Sequence, residues 1–184
     1  MGTAQAGIRV HQESGGLTFR VCGRATMHQS PAFLRVAARS LAGGVTSLKV
    51  DLRECAYMDS TFMGSLLTLK REVEAKGAGN EFALVAPSSP CRGLLQQMGM
   101  DRVLRIVDTT GGDAAAQPSG DWRELEDADA AAAAAGEHPQ AFQETVVRAH
   151  QELAEMPGAG AQQFKAIASK LTKAWEAEKG KPAN

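Results

Sequence analysis

The stretch that decides the fold runs from residue 49 to residue 77 and reads KVDLRECAYMDSTFMGSLLTLKREVEAKG. The segment Val45 to Leu52, which leads into it, is rich in apolar residues and predicts a β-strand. From Phe62 onwards the apolar residues recur at spacings of three and four, which predicts a helix. Asp59 is a suitable N-cap for this helix, and Gly77 ends the pattern.

Two hydroxyl side chains, Ser60 and Thr61, lie at the junction between this strand and this helix. The first turn of a helix has backbone N–H groups without intrahelical acceptors, and these groups favour a negative charge nearby. A hydroxyl in this turn is therefore a candidate phosphate acceptor or phosphate neighbour. We expect the Thr61 hydroxyl to be exposed, so that a phosphate added there would repel a docked protein.

Strands and helices alternate through the first 108 residues, in the order β, β, α, β, α, β, α, β. Parallel strands need long crossover connections, so this order predicts an α/β fold in which α-helices cover a mixed β-sheet. The predicted strands lie at residues 8–14, 17–22, 45–52, 81–86 and 103–107, and the helices begin near Pro31, Asp59 and Pro90.

The run Met58 to Gly64, Met-Asp-Ser-Thr-Phe-Met-Gly, resembles the Met-Asp-Ser-Ser/Thr-Gly-Leu-Gly signature of the STAS domain family, the anti-sigma factor antagonists and their relatives. Residues 94–106 are similar to the closing segment of that family, and the resemblance covers about residues 8–108. The chain differs at Phe62, where the family usually has glycine. The resemblance implies the STAS fold, and it places the phosphorylation switch of the family on Thr61.

The resemblance also implies a non-enzymatic signalling protein, an anti-sigma factor antagonist whose partner is an anti-sigma factor with serine/threonine kinase activity. Such a partner would dock around Asp59 to Met63 and would be released on phosphorylation of Thr61 or, second in order, Ser60. The loop after Gly23 is basic and carries a hydroxyl, and it adds candidate partner contacts. The predicted partner-binding residues are thus Asp59, Ser60, Thr61, Phe62, Met63, Arg24 and Thr26.

Two related functions stay open: a STAS subunit of a lipid-handling ABC transport system, and a stressosome-like scaffold. The enzyme class is not favoured, because the sequence has no glycine-rich phosphate loop and no nucleophile elbow. It also has no paired metal ligands and no Cys–His couple at a supporting spacing. We therefore predict no catalytic residues, no cofactor and no metal.

Charge and hydropathy exclude further classes. The net charge of −1 and the pI near 6.4 give no sign of a nucleic-acid-binding surface. No apolar run approaches the roughly 20 residues that a membrane-spanning helix needs, and no signal peptide is evident. The three cysteines, Cys22, Cys55 and Cys91, are far apart, which predicts buried reduced thiols. We expect a cytoplasmic protein that neither binds nucleic acid directly nor inserts into a membrane.

The last third of the chain divides into two parts. Residues 109–136 are acidic and alanine-rich, which predicts a solvated linker in which Trp122 is the one large apolar group. Residues 137–184 show helical periodicity interrupted by Pro157 to Ala161, which predicts a helical hairpin. Such a hairpin cannot bury its apolar stripe alone. It folds back on the first domain (residues 1–108), forms a homo-oligomer or binds a partner.

Overall fold

The computed structural model describes residues 7–108, 120–126 and 139–179. Two short 3₁₀ turns, Met100–Arg102 and Ala159–Ala161, accompany the regular elements. The strands are β1 (Gly7–Glu13), β2 (Gly16–Ala25), β3 (Ser47–Asp51), β4 (Cys55–Met58), β5 (Glu81–Val85), β6 (Ile106–Val107) and β7 (Arg123–Glu124). The helices are α1 (Ser30–Ala42), α2 (Ser60–Ala75), α3 (Ser89–Met98), α4 (Pro139–Ala154) and α5 (Gln162–Lys179).

The strands form a mixed sheet in the order β6-β5-β3-β2-β1-β7. β1 is antiparallel to both of its neighbours, β2 and β7, whereas β2, β3, β5 and β6 run parallel to one another. Each parallel connection in this set passes through a helix, as the alternating sequence pattern requires. The predicted α/β fold, a mixed sheet covered by helices and followed by a helical hairpin, is confirmed.

The sequence did not predict strand β4, which pairs in parallel with the end of β2. The register between these two strands shifts at Gly23 and Arg24, so β2 continues past its pairing with β3 and accepts β4 as a second parallel partner. Two of the four β4 residues are exposed, and such a short strand has too little alternation to stand out in a sequence. The helix start at Ser60 therefore follows directly from β4.

The core lies between the sheet and its helices. Three aromatic rings run through it: Phe19 of β2 contacts Phe33 of α1 with centroids 4.5 Å apart, and Phe33 contacts Phe62 of α2 at 4.9 Å. Helix α2 is buried on all sides from residue 61 to residue 69. A helix buried all round needs protein on both of its faces, and the sheet supplies only one of them.

The other face of α2 is covered by the C-terminal hairpin, which folds back on the first domain. Three apolar residues of the hairpin, Leu153, Met156 and Phe164, belong to the same buried cluster as the sheet residues. The structure thus shows the first of the three possibilities that the sequence left open. None of the described helices is long and apolar enough to cross a membrane.

The described part of the predicted linker, residues 120–126, is mostly exposed, but it also pairs with the first domain. It forms β7 on the edge of β1, where Arg9 and Glu124 make an ion pair of 2.9 Å and Leu125 is fully buried. Trp122 packs against the domain, with its ring 4.1 Å from the Arg20 guanidinium carbon. The rest of the linker, including the alanine run, lies outside the described residues.

Candidate partner-binding site

Asp59 organises the junction between β4 and α2. Its carboxylate accepts one hydrogen bond from the Phe62 backbone N–H (2.8 Å) and one from the Met27 backbone N–H (2.7 Å). The first bond is the N-cap predicted from the sequence, whereas the second ties the loop after β2 to the start of α2. Because both oxygens are engaged, the two loops form one structural unit, further held by Asp59 N–H donating to Ala25 (3.1 Å).

The loop after β2 lies beside this junction, as predicted. Thr26 donates its backbone N–H and its hydroxyl to the Gln29 side-chain oxygen, at 2.9 and 2.8 Å. Arg24 is exposed, and its guanidinium stacks over the Tyr57 ring at 4.3 Å from the centroid. Thr26 is thus part of the turn before α1, while Arg24 and Tyr57 form an accessible cation–π pair on the neighbouring strands.

The predicted exposure of the Thr61 hydroxyl is wrong for this structure. Thr61 is only 3 % exposed, and its neighbours Phe62 and Met63 are also buried. Phe62 points into the aromatic core against Phe33, so no partner can reach it in this state. Helix α4 supplies cover that a bare strand-to-helix junction would lack, because it packs on α2 and contacts Ser60 and Gly64 on either side of Thr61.

Ser60 is half-buried and meets a residue that the sequence analysis did not single out. Its Oγ lies 3.2 Å from Nε2 of His150, which is on α4. Nδ1 of the same imidazole lies 2.8 Å from the Val146 carbonyl, which can only accept, so Nδ1 carries a proton and donates. In the neutral tautomer Nε2 then accepts from the Ser60 hydroxyl. The sequence held no signal for this pair, since 90 residues separate the two partners.

The backbones of α2 and α4 touch at Gly64 and Ala149. A Cβ built on Gly64 would lie 2.2 Å from the Ala149 carbonyl oxygen and 2.6 Å from its Cα, which no real side chain tolerates. Gly64 is the last residue of the signature run, and here its missing side chain admits the hairpin. Close helix contact of this kind requires a residue without a Cβ on one side.

Ion pairs flank the crossing. Arg71 of α2 lies 2.9 Å from Glu152 and 2.7 Å from Glu155, and Arg148 of α4 lies 3.0 Å from Glu72. The Glu152 side chain is almost fully buried, and its Oε2 receives no well-aligned hydrogen bond despite the nearby Arg71. Desolvation raises the pKa of Glu152, although the Arg71 and Arg148 charges oppose the shift.

Replacing Glu152 by glutamine is expected to leave the protein equally stable or more stable at pH 7. The pKa of the Glu152 carboxyl is higher in the folded chain than its ordinary value of 4.5. Such a group stabilises the fold at a pH below 4.5, where it is protonated, and this contribution is lost as the pH rises through the folded pKa. At neutral pH the buried charge is therefore a cost that glutamine removes. Urea unfolding at pH 7 and pH 4.5 measures this, and the difference between the two proteins should shrink at the lower pH.

Glu155→Gln is the matched control, because Glu155 contacts the same arginine but is largely exposed. Its removal should change stability by less than about 0.5 kcal/mol. A Glu152→Gln protein that is less stable than wild type at pH 7 would show that the ion pair with Arg71 outweighs desolvation.

All three cysteines are buried free thiols, as the sequence predicts. Cys91 donates its S–H to the Cys55 carbonyl at 3.3 Å, at the start of α3. Among residues 7–108, 120–126 and 139–179 no cluster of three histidine, cysteine or acidic side chains could hold a metal ion.

The mixed sheet, the capped junction after a strand and the hydroxyl pair at the helix start define the class of protein. The chain belongs to the STAS domain family: the family model described as "Mlab, STAS domain" matches residues 8–108, more than half of the chain. The resemblance identified from the signature is therefore confirmed over the same residues. No curated protein matches the chain.

Solved structures agree in fold. The anti-sigma factor antagonist SpoIIAA in its unphosphorylated form has a TM-score of 0.50 at 22 % identity, and the match covers 56 % of this chain and 88 % of that one. The protein TM1081, of Thermotoga maritima, has a TM-score of 0.50 at 19 % identity, over 54 % and 79 % of the two chains. These likenesses concern the sheet and its helices.

Proposed function

We propose that this protein is a signalling protein of the anti-sigma factor antagonist type, which acts by binding a protein partner rather than by catalysis. The binding face comprises the start of α2 from Asp59 to Met63, except for Phe62, whose ring lies in the core, and it is flanked by Arg24 and Thr26. The partner is an anti-sigma factor with serine/threonine kinase activity. Phosphorylation at Thr61 or Ser60 releases it.

One observation carries this proposal: the first ten residues of α2, from Ser60 to Leu69, contain no charged side chain. A helix of a single domain normally presents charged residues on the side away from its sheet. This helix instead presents hydroxyls, small residues and apolar groups, and another protein element packs on them. The face is therefore suited to binding protein.

The position of the two hydroxyls supports the switch. Ser60 is the first residue of α2, and Asp59 caps the helix with both oxygens bound to backbone N–H groups. A phosphate there would gain from the helix N-terminus, against repulsion by Asp59, and would add roughly −1.5 to −2 charges beside the uncharged stretch Ser60 to Leu69. A protein docked by apolar contact would lose that contact.

Phosphorylation by the purified anti-sigma kinases of the source organism tests the proposal. The full chain is incubated with each kinase and ATP, the modified residue is mapped by mass spectrometry, and the complex is followed by size-exclusion chromatography. We expect label at residue 60 or 61 only, and loss of the complex once it is attached. The double variant Ser60→Ala/Thr61→Ala should bind the kinase but accept no phosphate.

Ser89→Ala provides the matched control, because Ser89 is an exposed hydroxyl at the first position of another helix, α3. Its loss should leave labelling and binding unchanged. Label that persists in the double variant, or a complex that survives phosphorylation, would contradict the switch.

A further inference from the structure

We propose that the C-terminal hairpin is an intramolecular competitor for the partner: α4 occupies the binding face of α2, and the partner supplies a helix of matching chemistry that replaces it. This inference rests on the proposed function for the identity of the face. It adds the reason why the face is closed in the isolated chain, and it states what kind of surface the partner must present.

Steric contacts with α4 close this face of α2. At the crossing of α2 and α4, the Gly64 position has no room for even a methyl group, because the Ala149 backbone fills that space. The half-buried Ser60 hydroxyl lies 3.2 Å from Nε2 of His150, so a phosphoryl group in its present position would displace the His150 side chain of α4. Thr61 is only 3 % exposed, and Ser60 and Gly64 on the same part of α2 both contact α4. Partner binding to this face of α2 and modification of the buried Thr61 therefore both require α4 to move.

The contact between α2 and α4 can be reversed. Polar pairs line its edge: Ser60–His150, Arg71 with Glu152 and Glu155, and Arg148–Glu72. Exposed ion pairs contribute little, and Glu152 is desolvated at a cost. When α4 departs, water can solvate the polar side chains of Ser60, Arg71 and Glu72.

The residues by which α4 contacts α2 indicate what surface the partner must present. A helix that replaces it needs a small residue to lie over Gly64, apolar residues on the same side to cover the uncharged stretch of α2, and a carboxylate that reaches Arg71. A bulky residue at the crossing would be rejected by backbone contact. The partner surface is accordingly an amphipathic helix laid across α2, which is a recurrent mode of recognition.

Covalent connection to the first domain favours the closed state, in which α4 lies on α2. About a dozen residues separate Glu126, which follows β7, from the start of α4, and such a short connection holds the hairpin at an effective concentration of order millimolar. A partner helix must exceed this to compete. The same tether lets a displaced hairpin rebind once the partner is gone.

The test uses the full chain and a labelled synthetic peptide of residues 137–180 as the competing helix. Ala149→Asp places a charge at a buried position of α4 whose backbone contacts Gly64, and Ala166→Asp makes the same change at an exposed position of α5. Fluorescence anisotropy measures peptide binding, and hydrogen exchange reports the protection of Thr61 to Leu69.

We expect Ala149→Asp to bind the peptide at least about tenfold more tightly than wild type, and the protection of its residues 61–69 to fall about tenfold. Ala166→Asp should match wild type in both.

A second variant distinguishes opening of the hairpin from misfolding of the whole chain. Gly64→Ala strengthens the helix propensity of α2 but collides with the Ala149 backbone, so it should open the hairpin while circular dichroism shows a folded domain. Protection of α2 that is equal in wild type and both opening variants would overturn the inference. A wild-type dimer in which α2 protection depends on concentration would also overturn it, because the hairpin would then come from a second copy.

The outcome separates the two proposals. If the opened variants bind the peptide but no kinase modifies residue 60 or 61, the hairpin inference stands and the proposed switch fails. If kinases modify wild type and opened variants at equal rates, the switch stands and the hairpin does not control it. If the inference is right, Ala149→Asp should be modified about tenfold faster than Ala166→Asp.

Discussion

Phe62→Ala is expected to lower the free energy of unfolding by about 3–5 kcal/mol, the largest effect of any single change considered. Phe62 is fully buried, and its ring packs on Phe33, which in turn packs on Phe19. Truncation would leave a cavity between α1 and α2 that the close-packed sheet cannot fill. The loss would arise in the first domain, whether or not the hairpin is docked.

Urea unfolding followed by circular dichroism measures this loss. Phe142→Ala is the matched control, because Phe142 is a half-buried ring on α4 that stacks on His28 at 6.2 Å, outside the core aromatic group. Its removal should cost about 1 kcal/mol. Equal losses for the two variants would mean that Phe62 is not part of the core and would return it to the list of partner contacts.

The second large effect is expected for Asp59→Ala, which should lower stability by about 2–4 kcal/mol. One part is the loss of the N-cap of α2, and the other is a Met27 backbone N–H left without its acceptor. Since the two hydrogen bonds join α2 to the loop before α1, their loss should also loosen the candidate site. Thermal unfolding and hydrogen exchange of the loop at residues 26–29 measure both effects.

Asp59→Asn separates the two contributions. Asparagine has one acceptor oxygen and can keep one of the two bonds, so about half of the loss should remain. If Asp59→Asn and Asp59→Ala are equally destabilised, the negative charge at the helix N-terminus, rather than the hydrogen-bond count, stabilises the junction. If neither is destabilised, the description of Asp59 as the link between the loops is wrong.

Local chemistry made much of the domain predictable. The cap at Asp59, the start of α2 and the alternation of strands with helices depend on residues close together in the chain, and each appears in the structure within a few residues of its prediction. The signature around the hydroxyl pair likewise led to the STAS family. The same resemblance drew attention to the loop that carries Thr26, which lies beside the junction.

What could not be predicted depends on contacts between distant segments. Strand β7 holds too few residues for a pattern, and its pairing with β1 joins positions more than a hundred residues apart. The Ser60–His150 pair and the Gly64–Ala149 crossing are of the same kind. The sequence did contain one indication that α2 is covered, because the uncharged run from Ser60 to Leu69 implies protein on both sides of this helix. That run does not show which element provides the cover.

The sequence alone determined a capped helix start with two hydroxyls and a second amphipathic unit after a linker, because those features arise from neighbours in sequence. Whether the hydroxyls face solvent was decided only in three dimensions. Burial is a property of what packs on a surface, and here the glycine at position 64 and the backbone of Ala149 let a helix from the far end of the chain cover that surface.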